Sequence, residues 1–267
     1  MVADPASFFS VLKAARRVWA VGAIHGEAGR LRALHAVLEQ RLQPGDRIVY
    51  LGNYLGWGPD IQGTQEELLR QRIAWLARPG MFAADVAYLR GAQEEMWRKL
   101  LQLQFAPNPR EVLEWMLGQG VAATLQSYGH DPKDVRIACR EGALALTKWA
   151  NQVRSSLHAR PGHDELLAAL RRAAYTEQSE LLFVAAGVDP ERPLSQQGDV
   201  FWWGTGYFGR IEAYDGFRRI IRGYDRARRG LDLERYAVTL DGGCGFGGTL
   251  NAACFQLDGS LADWVEA

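Results

Sequence analysis

His25 and Asn53 carry the clearest chemical potential in this chain: an imidazole and an amide, each in a glycine-punctuated turn after a short apolar run, in VWAVGAIHGEAGR (18–30) and YLGNYLGWGPD (50–60). Comparable turns follow at LRGAQE (89–94), FVAAGVDPERP (183–193), IRGYD (221–225) and TLDGGCGFGGTLNAACF (239–255). They bring Arg90, Gln93, Glu94, Arg222, Tyr224 and Asp241 to strand ends. Imidazoles and carboxylates on converging loops suit a metal centre, since hard divalent ions take oxygen and transition ions take imidazole or carboxylate. The donors are too few for that here. Asn53 and Gln93 are neutral amides without a titratable proton.

Other reactive arrangements are weaker. His158, His163 and Asp164 in HARPGHDE have no further cluster beside them, and a structural metal site needs four ligands with a supporting shell. Cys244 lies in GGCGFGG with no neighbouring histidine to activate it, so a structural cysteine is the expectation. That run also lacks the Lys and Ser or Thr that end a phosphate-binding loop. Glu94 could act as a general base, but beside Gln93 and without metals it reads as structural.

Taken together and in order, these blocks resemble the motifs of the calcineurin-like metallophosphoesterases, a superfamily that includes the PPP-type serine/threonine phosphatases and the bacterial dinucleoside tetraphosphatases. The matches span residues 17–256. In that family two divalent ions, such as Mn, Fe or Zn, are held by two aspartates, an asparagine and three histidines. The resemblance maps these onto Ala23, His25, Asn53, Ala92, Ala185 and Tyr224, so one ligand survives. It likewise maps the acid-base histidine onto Gln93, the aspartate that orients it onto Gly56, and the phosphate-clamping arginine onto Trp57. Gly22, Gly26, Gly52, Gly58, Pro59, Gly91, Gly187 and Gly223 remain. The scaffold is kept and the reactive groups are not. The resemblance therefore implies a four-layer α/β/β/α sandwich with a helical cap insertion, no metal cofactor and no catalytic residue.

The elements that must position these turns are legible from periodicity. Residues 17–24, 47–51 and 86–89 read as strands, and 27–40 as a helix with Leu31, Leu34, Val37 and Leu38 on one face. Asp60 is placed to cap the next helix. The turn positions then fall just past strand ends, where open α/β folds build their sites. Residues 94–180 turn helical, with Pro109 at a helix start, 144–153 a second helix and 163–174 a third; this insertion is expected to cap the cleft. Strands return at 181–185, 217–222, 236–240 and 251–257. The whole chain, 1–267, reads as a single domain.

Thirty-one basic and 31 acidic residues cancel, so no global field of the kind that marks duplex nucleic-acid binding is present. The local run Arg222, Arg226, Arg228 and Arg229 reads as a solvated turn, with anion or partner docking as the alternative. Three cysteines without paired spacing argue against a disulfide framework. The start, MVADPASFFSVLKAARR, does not read as a secretory signal, and no apolar run is long enough to span a membrane. A cytoplasmic protein is the expectation.

Trp57, Trp202, Trp203 and Tyr224 are expected to converge on the cleft. They either fill the volume that ions and polar ligands would take or stack on a bound ring. The expected function is that of a pseudophosphatase, a binding or regulatory module with a protein partner or an unhydrolysed phospho-ligand. Arg90, Arg222, Trp57 and Tyr224 are the contacts foreseen for such a ligand. The alternative is a weak metal-dependent phosphoesterase built on His25, Asn53, Glu94 and Asp241.

Overall fold

In the computed structural model, which describes residues 8–204, 206 and 208–267, the chain runs β1 (Phe9–Leu12), β2 (Arg17–Val21), α1 (Ala28–Arg41), β3 (Asp46–Tyr50), α2 (Ile61–Leu76) and β4 (Val86–Tyr88). Six helices follow: α3 (Ala92–Leu100), α4 (Pro109–Met116), α5 (Ala122–Ser127), α6 (Pro132–Glu141), α7 (Ala143–His158) and α8 (His163–Ala168). The chain closes with β5 (Ala173–Thr176), β6 (Leu181–Val184), α9 (Val200–Trp203), β7 (Arg219–Arg222), β8 (Asp232–Leu233), β9 (Ala237–Thr239), β10 (Asn251–Gln256) and β11 (Leu261–Glu266). Residues 1–7, which open the N-terminal stretch read above, lie outside the described residues.

Two sheets stack face to face. One has the order β11-β10-β2-β3-β4, the other β1-β5-β6-β7-β9-β8. The period-2 alternation of strand side chains explains the sandwich. Val18 and Ala20 of β2, Val49 of β3, Phe183 of β6 and Ile221 of β7 point inward and share one core with Ala253 and Phe255. The alternate residues, Trp19, Val21, Ile48 and Tyr50, point outward onto Leu31, Leu34 and Leu38 of α1, Leu68 and Trp75 of α2, and Leu166 of α8. On the opposite outer face, Leu182, Val184 and Ile220 are covered by Phe201 and Trp202 of the single-turn α9 and by Phe208, Ile211 and Tyr214. The layers are α/β/β/α, with the second helical layer reduced mostly to turns.

The helices after β4 bury their own apolar faces together. Met96, Trp97, Leu113, Met116, Leu125, Val135, Trp149 and Val153 form a cluster that also takes Leu55 from the loop before α2 and Ile61 from its first turn. That shared cluster fixes the helices beside the loops after β3 and β4. Asp60 caps α2 as expected, accepting from the Gly63 amide at 2.9 Å.

One expected element is different. The helix foreseen over 163–174 stops at Ala168, because the backbone beyond it is taken by the sheets. The Arg171 amide donates to the Tyr88 carbonyl at 2.8 Å, Arg90 donates to the Arg171 carbonyl at 2.7 Å, and Ala173–Thr176 becomes a strand paired with β1 and β6. The flanking strands β1 and β11 were not foreseen either. Both are edge strands; β1 is only four residues long, and β11 alternates exposed and buried residues too weakly to stand out from a loop.

Candidate functional site

β2, β3 and β4 are mutually parallel, and so are β6, β7 and β9, so the loops that follow all six leave from carboxyl ends of strands. Backbone hydrogen bonds stitch these loops across the two sheets. Ala23 donates to Gly223 at 3.0 Å, Gly223 and Tyr224 donate to Ala185 at 3.1 and 2.9 Å, and Ile24 and His25 both donate to Asn53 at 3.1 and 2.6 Å. Small residues permit this closeness. A side chain at Gly58 would meet the His25 carbonyl at 2.3 Å, and one at Gly223 would meet Leu51 at 2.4 Å.

Glu94 holds the centre of this arrangement. Its Oε2 accepts from the amides of Asn53 (2.9 Å) and Gly91 (2.8 Å), and its Oε1 from those of Tyr54 (2.7 Å) and Leu55 (3.1 Å). Burial pushes the carboxyl upward, and the four amides pull it back. All its acceptor capacity is spent on backbone, which leaves it structural.

The surviving polar groups meet at one cleft of about 590 Å³, lined among others by His25, Asn53, Ala92, Gln93 and Tyr224. His25, Asn53 and Trp57 all have left-handed backbone, with φ of 52°, 56° and 57°. Such angles cost roughly 1–3 kcal/mol each in non-glycine residues and gather where a site is built. Asn53 Oδ1 accepts from the Gln93 amide at 3.0 Å, and Gln93 Nε2 donates to the Gln119 carbonyl at 2.7 Å. Asn53 Nδ2 and Gln93 Oε1 are buried without a partner, and the His25 ring nitrogens make no well-aligned hydrogen bond, although the backbone of Leu55 lies close enough to raise the imidazole against the larger effect of burial. Burial lowers His25 to about 3, so its ring is neutral, with one donor and one acceptor nitrogen.

Gly56 explains why Gln93 fits. A side chain at position 56 would come within 2.3 Å of Gln93 Oε1, so the glutamine occupies the space a larger residue there would take.

Aromatic rings enclose these groups. Tyr224 and Phe246 pack edge-on against the His25 ring at 6.0 and 5.3 Å, Trp57 lies 5.2 Å from Phe246, and Trp115 meets Trp203 at 5.4 Å. Arg228 sits over Phe246, 3.3 Å from its centroid. Some rings therefore crowd the imidazole, while the indoles wall the space that remains.

The expected residues divide into three groups. His25, Asn53, Trp57, Ala92, Gln93 and Tyr224 line the cleft, as does Trp203. Ala23 and Ala185 are buried in the stitched backbone behind it. Arg90, Arg222 and Trp202 do not line it. Arg90 pairs with Glu95 at 3.5 Å and lies over Trp202, which itself bonds Asp199. Arg222 is buried between Thr239 (2.8 Å), Asp225 (3.1 Å) and the Phe208 ring. Asp241 is likewise engaged by the amides of Asp225 and Gly243 at 2.8 and 2.9 Å.

Other readings resolve locally. Cys244 donates to the Ile24 carbonyl, and burial pushes its thiol up to about 12. His163 is buried against the Tyr128 hydroxyl at 2.7 Å, whereas His158 pairs with Asp164 at 3.1 Å on the surface. Trp115, Gln119 and Phe246 were missed by sequence reasoning. The first two arrive from the helical insertion, where no motif marks them; Phe246 was visible only as a bulky ring among glycines.

The residues present do not fit a pair of divalent ions. One neutral imidazole, one amide and crowding aromatic edges stand where a cation would need carboxylates and further imidazoles. Among the described residues, no group of three or more His, Cys, Asp or Glu is arranged to hold a metal ion. No helix among them is long and apolar enough to cross a membrane.

No protein-family model and no curated protein sequence matches this chain. Solved structures do resemble it. A proposed diadenosine tetraphosphatase aligns over 97% of this chain and 98% of its own, at 20% identity and a TM-score of 0.58. A cold-active protein-tyrosine phosphatase from a psychrophilic Shewanella species aligns over 96% and 82%, at 12% identity and 0.54. A protein serine/threonine phosphatase from Saccharomyces cerevisiae aligns over 96% and 82%, at 11% identity and 0.50. At these identities the likeness establishes architecture and not activity. With its paired sheets, its converging strand-end loops and near end-to-end alignment, the chain has the calcineurin-like metallophosphoesterase fold.

Proposed function

We propose that this protein is a pseudophosphatase: a metallophosphoesterase-fold module that binds in its cleft, or through its helical insertion, without hydrolysing a phosphoester. The observation that carries the reading is the donor set. At the six positions where the fold family holds its ions, His25 alone is a competent ligand, and it is neutral and flanked by rings. A two-metal mechanism draws both its nucleophile and its charge stabilisation from the ions, so these residues supply neither.

The rival reading, a weak metal-dependent phosphoesterase, would need Glu94 and Asp241 as ligands. Both carboxylates are already bound by backbone amides, four at Glu94 and two at Asp241. Withdrawing either would leave buried donors unpaired, at about 1–3 kcal/mol per group. A binding role also accounts for the strained loops: the φ values at His25, Asn53 and Trp57 are maintained at an energetic cost although no catalytic group depends on them. Three buried, unpaired cysteines fit a reducing, cytoplasmic setting.

The test is metal loading followed by buffer exchange and elemental analysis, with Mn, Fe and Zn each in excess. The expected result is near-zero stoichiometry and no hydrolysis of p-nitrophenyl phosphate or diadenosine tetraphosphate. One or two retained ions per chain, with turnover that a chelator abolishes, would overturn the proposal.

A further inference from the structure

The cleft differs from a phosphate site in the kind of hydrogen bond it leaves unmade. Asn53 Nδ2 is the donor there, because Oδ1 is fixed by the Gln93 amide. Gln93 Oε1 is the acceptor, because Nε2 is fixed by the Gln119 carbonyl. His25 adds an acceptor nitrogen, its donor side facing the backbone of Leu55. One donor and two acceptors are thus buried at one floor. A fully ionised phosphate only accepts, and would leave Gln93 Oε1 and one His25 nitrogen unsatisfied. A hydroxyl both donates and accepts.

The walls narrow the choice further. Trp57, Trp115 and Trp203 are 41%, 48% and 38% exposed, so three of the large hydrophobics left open among the described residues stand at this one cleft. Flat indole faces take the apolar face of a ring, while the rim cations Arg226 and Arg228 oppose a cationic guest and can donate to ring oxygens. A cleft of about 590 Å³ is in the range of small-ligand sites.

We infer that this cleft is a metal-independent saccharide-binding site, stacking a sugar ring on Trp57, Trp115 and Trp203 and pairing its hydroxyls with His25, Asn53 and Gln93. This rests on the proposed non-hydrolytic reading and names its ligand class. The floor atoms are closed to water. Phe246 packs edge-on against His25 and is flanked by Gly245 and Gly247, both at positive φ, so it is the ring that a sugar has to displace to reach the imidazole.

An array of neutral and uronic-acid-containing oligosaccharides, screened with EDTA present, followed by calorimetric titration of the free oligosaccharide, tests this. The expected result is saturable binding of at least one glycan class, unaffected by EDTA. Trp203→Ala and Trp115→Ala should each weaken it by about tenfold or more. Gln93→Leu should weaken it too, and Trp264→Ala, an exposed indole outside the cleft, should not. Free oligosaccharide against the same glycan on a carrier protein separates the two sources of ligand. Absence of saturable binding, indifference to both tryptophan substitutions, or preferential uptake of ATP or a phosphoserine peptide would overturn the inference. Such a failure in a protein that retains no metal leaves the non-hydrolytic reading standing. Chelator-sensitive turnover sinks that reading instead.

Discussion

Glu94→Gln is the sharpest probe of how the motif loops are held. The carboxylate accepts four backbone hydrogen bonds, two at each oxygen, from Asn53 and Gly91 at Oε2 and from Tyr54 and Leu55 at Oε1. Glutamine keeps one acceptor oxygen and turns the other into an amide nitrogen, which faces two N–H groups with two of its own. Two buried donors then lose their partner, at about 1–3 kcal/mol each, and the surviving pair loses its charge assistance. The two donors together cost about 2–6 kcal/mol. For a chain of this size each kcal/mol moves the melting midpoint by about 2–4 °C, so a drop of roughly 4–24 °C is expected. Thermal unfolding followed by far-UV circular dichroism, with urea titration of the same protein, reads this directly. A variant that melts within about 2 °C of the parent would refute the view that Glu94 is the structural anchor of the loops, and would return it to the pool of groups free for chemistry.

Two further outcomes follow from the same cleft. Gly56→Ala places a methyl group against Gln93 Oε1 and should destabilise by about 1–3 kcal/mol; Gln93→Ala should recover part of that, giving a coupling of about 1 kcal/mol or more in a double-mutant cycle, whereas strict additivity would mean the two positions do not compete for space. His25, lowered to about 3 by burial, should take up no proton until well below its unfolded value near 6.5. The unfolded chain then binds more protons between those limits, so stability is full above about pH 6.5 and falls as the pH drops, by up to about 1.4 kcal/mol per unit. His25→Gln should flatten that slope in urea denaturation across the acid range, and an unchanged slope would show that the ring is not held neutral.

What the sequence determined is the scaffold and how few donors its strand-end turns carry. Glycine-punctuated turns after apolar runs, in family order, identify strand-end loops that must meet, because parallel strands deliver their following loops to one edge. Ala23, Ala92 and Ala185 carry no donor atom on their side chains whatever surrounds them, and Asn53 and Tyr224 carry only neutral ones, so the thin donor set is readable without coordinates. Local rules also fixed the Asp60 cap and the Pro109 helix start, which depend only on neighbours in the chain. Which groups face the cleft was not local. Arg90 and Arg222 sit at motif positions, yet Glu95, Asp225 and neighbouring rings claim them. Trp202 and Trp203 are adjacent, but successive helical side chains diverge by about 100°, so one is buried beneath the sheet and the other opens on the cleft. Trp115, Gln119 and Phe246 come to the cleft that holds His25 from parts of the chain roughly 90 to 220 residues away, and their arrival depends on packing that no local spacing encodes. The same holds for the unmade hydrogen bonds: only tertiary structure decides which face of Asn53 and Gln93 is already spent, and so what a ligand must offer to the face that is left.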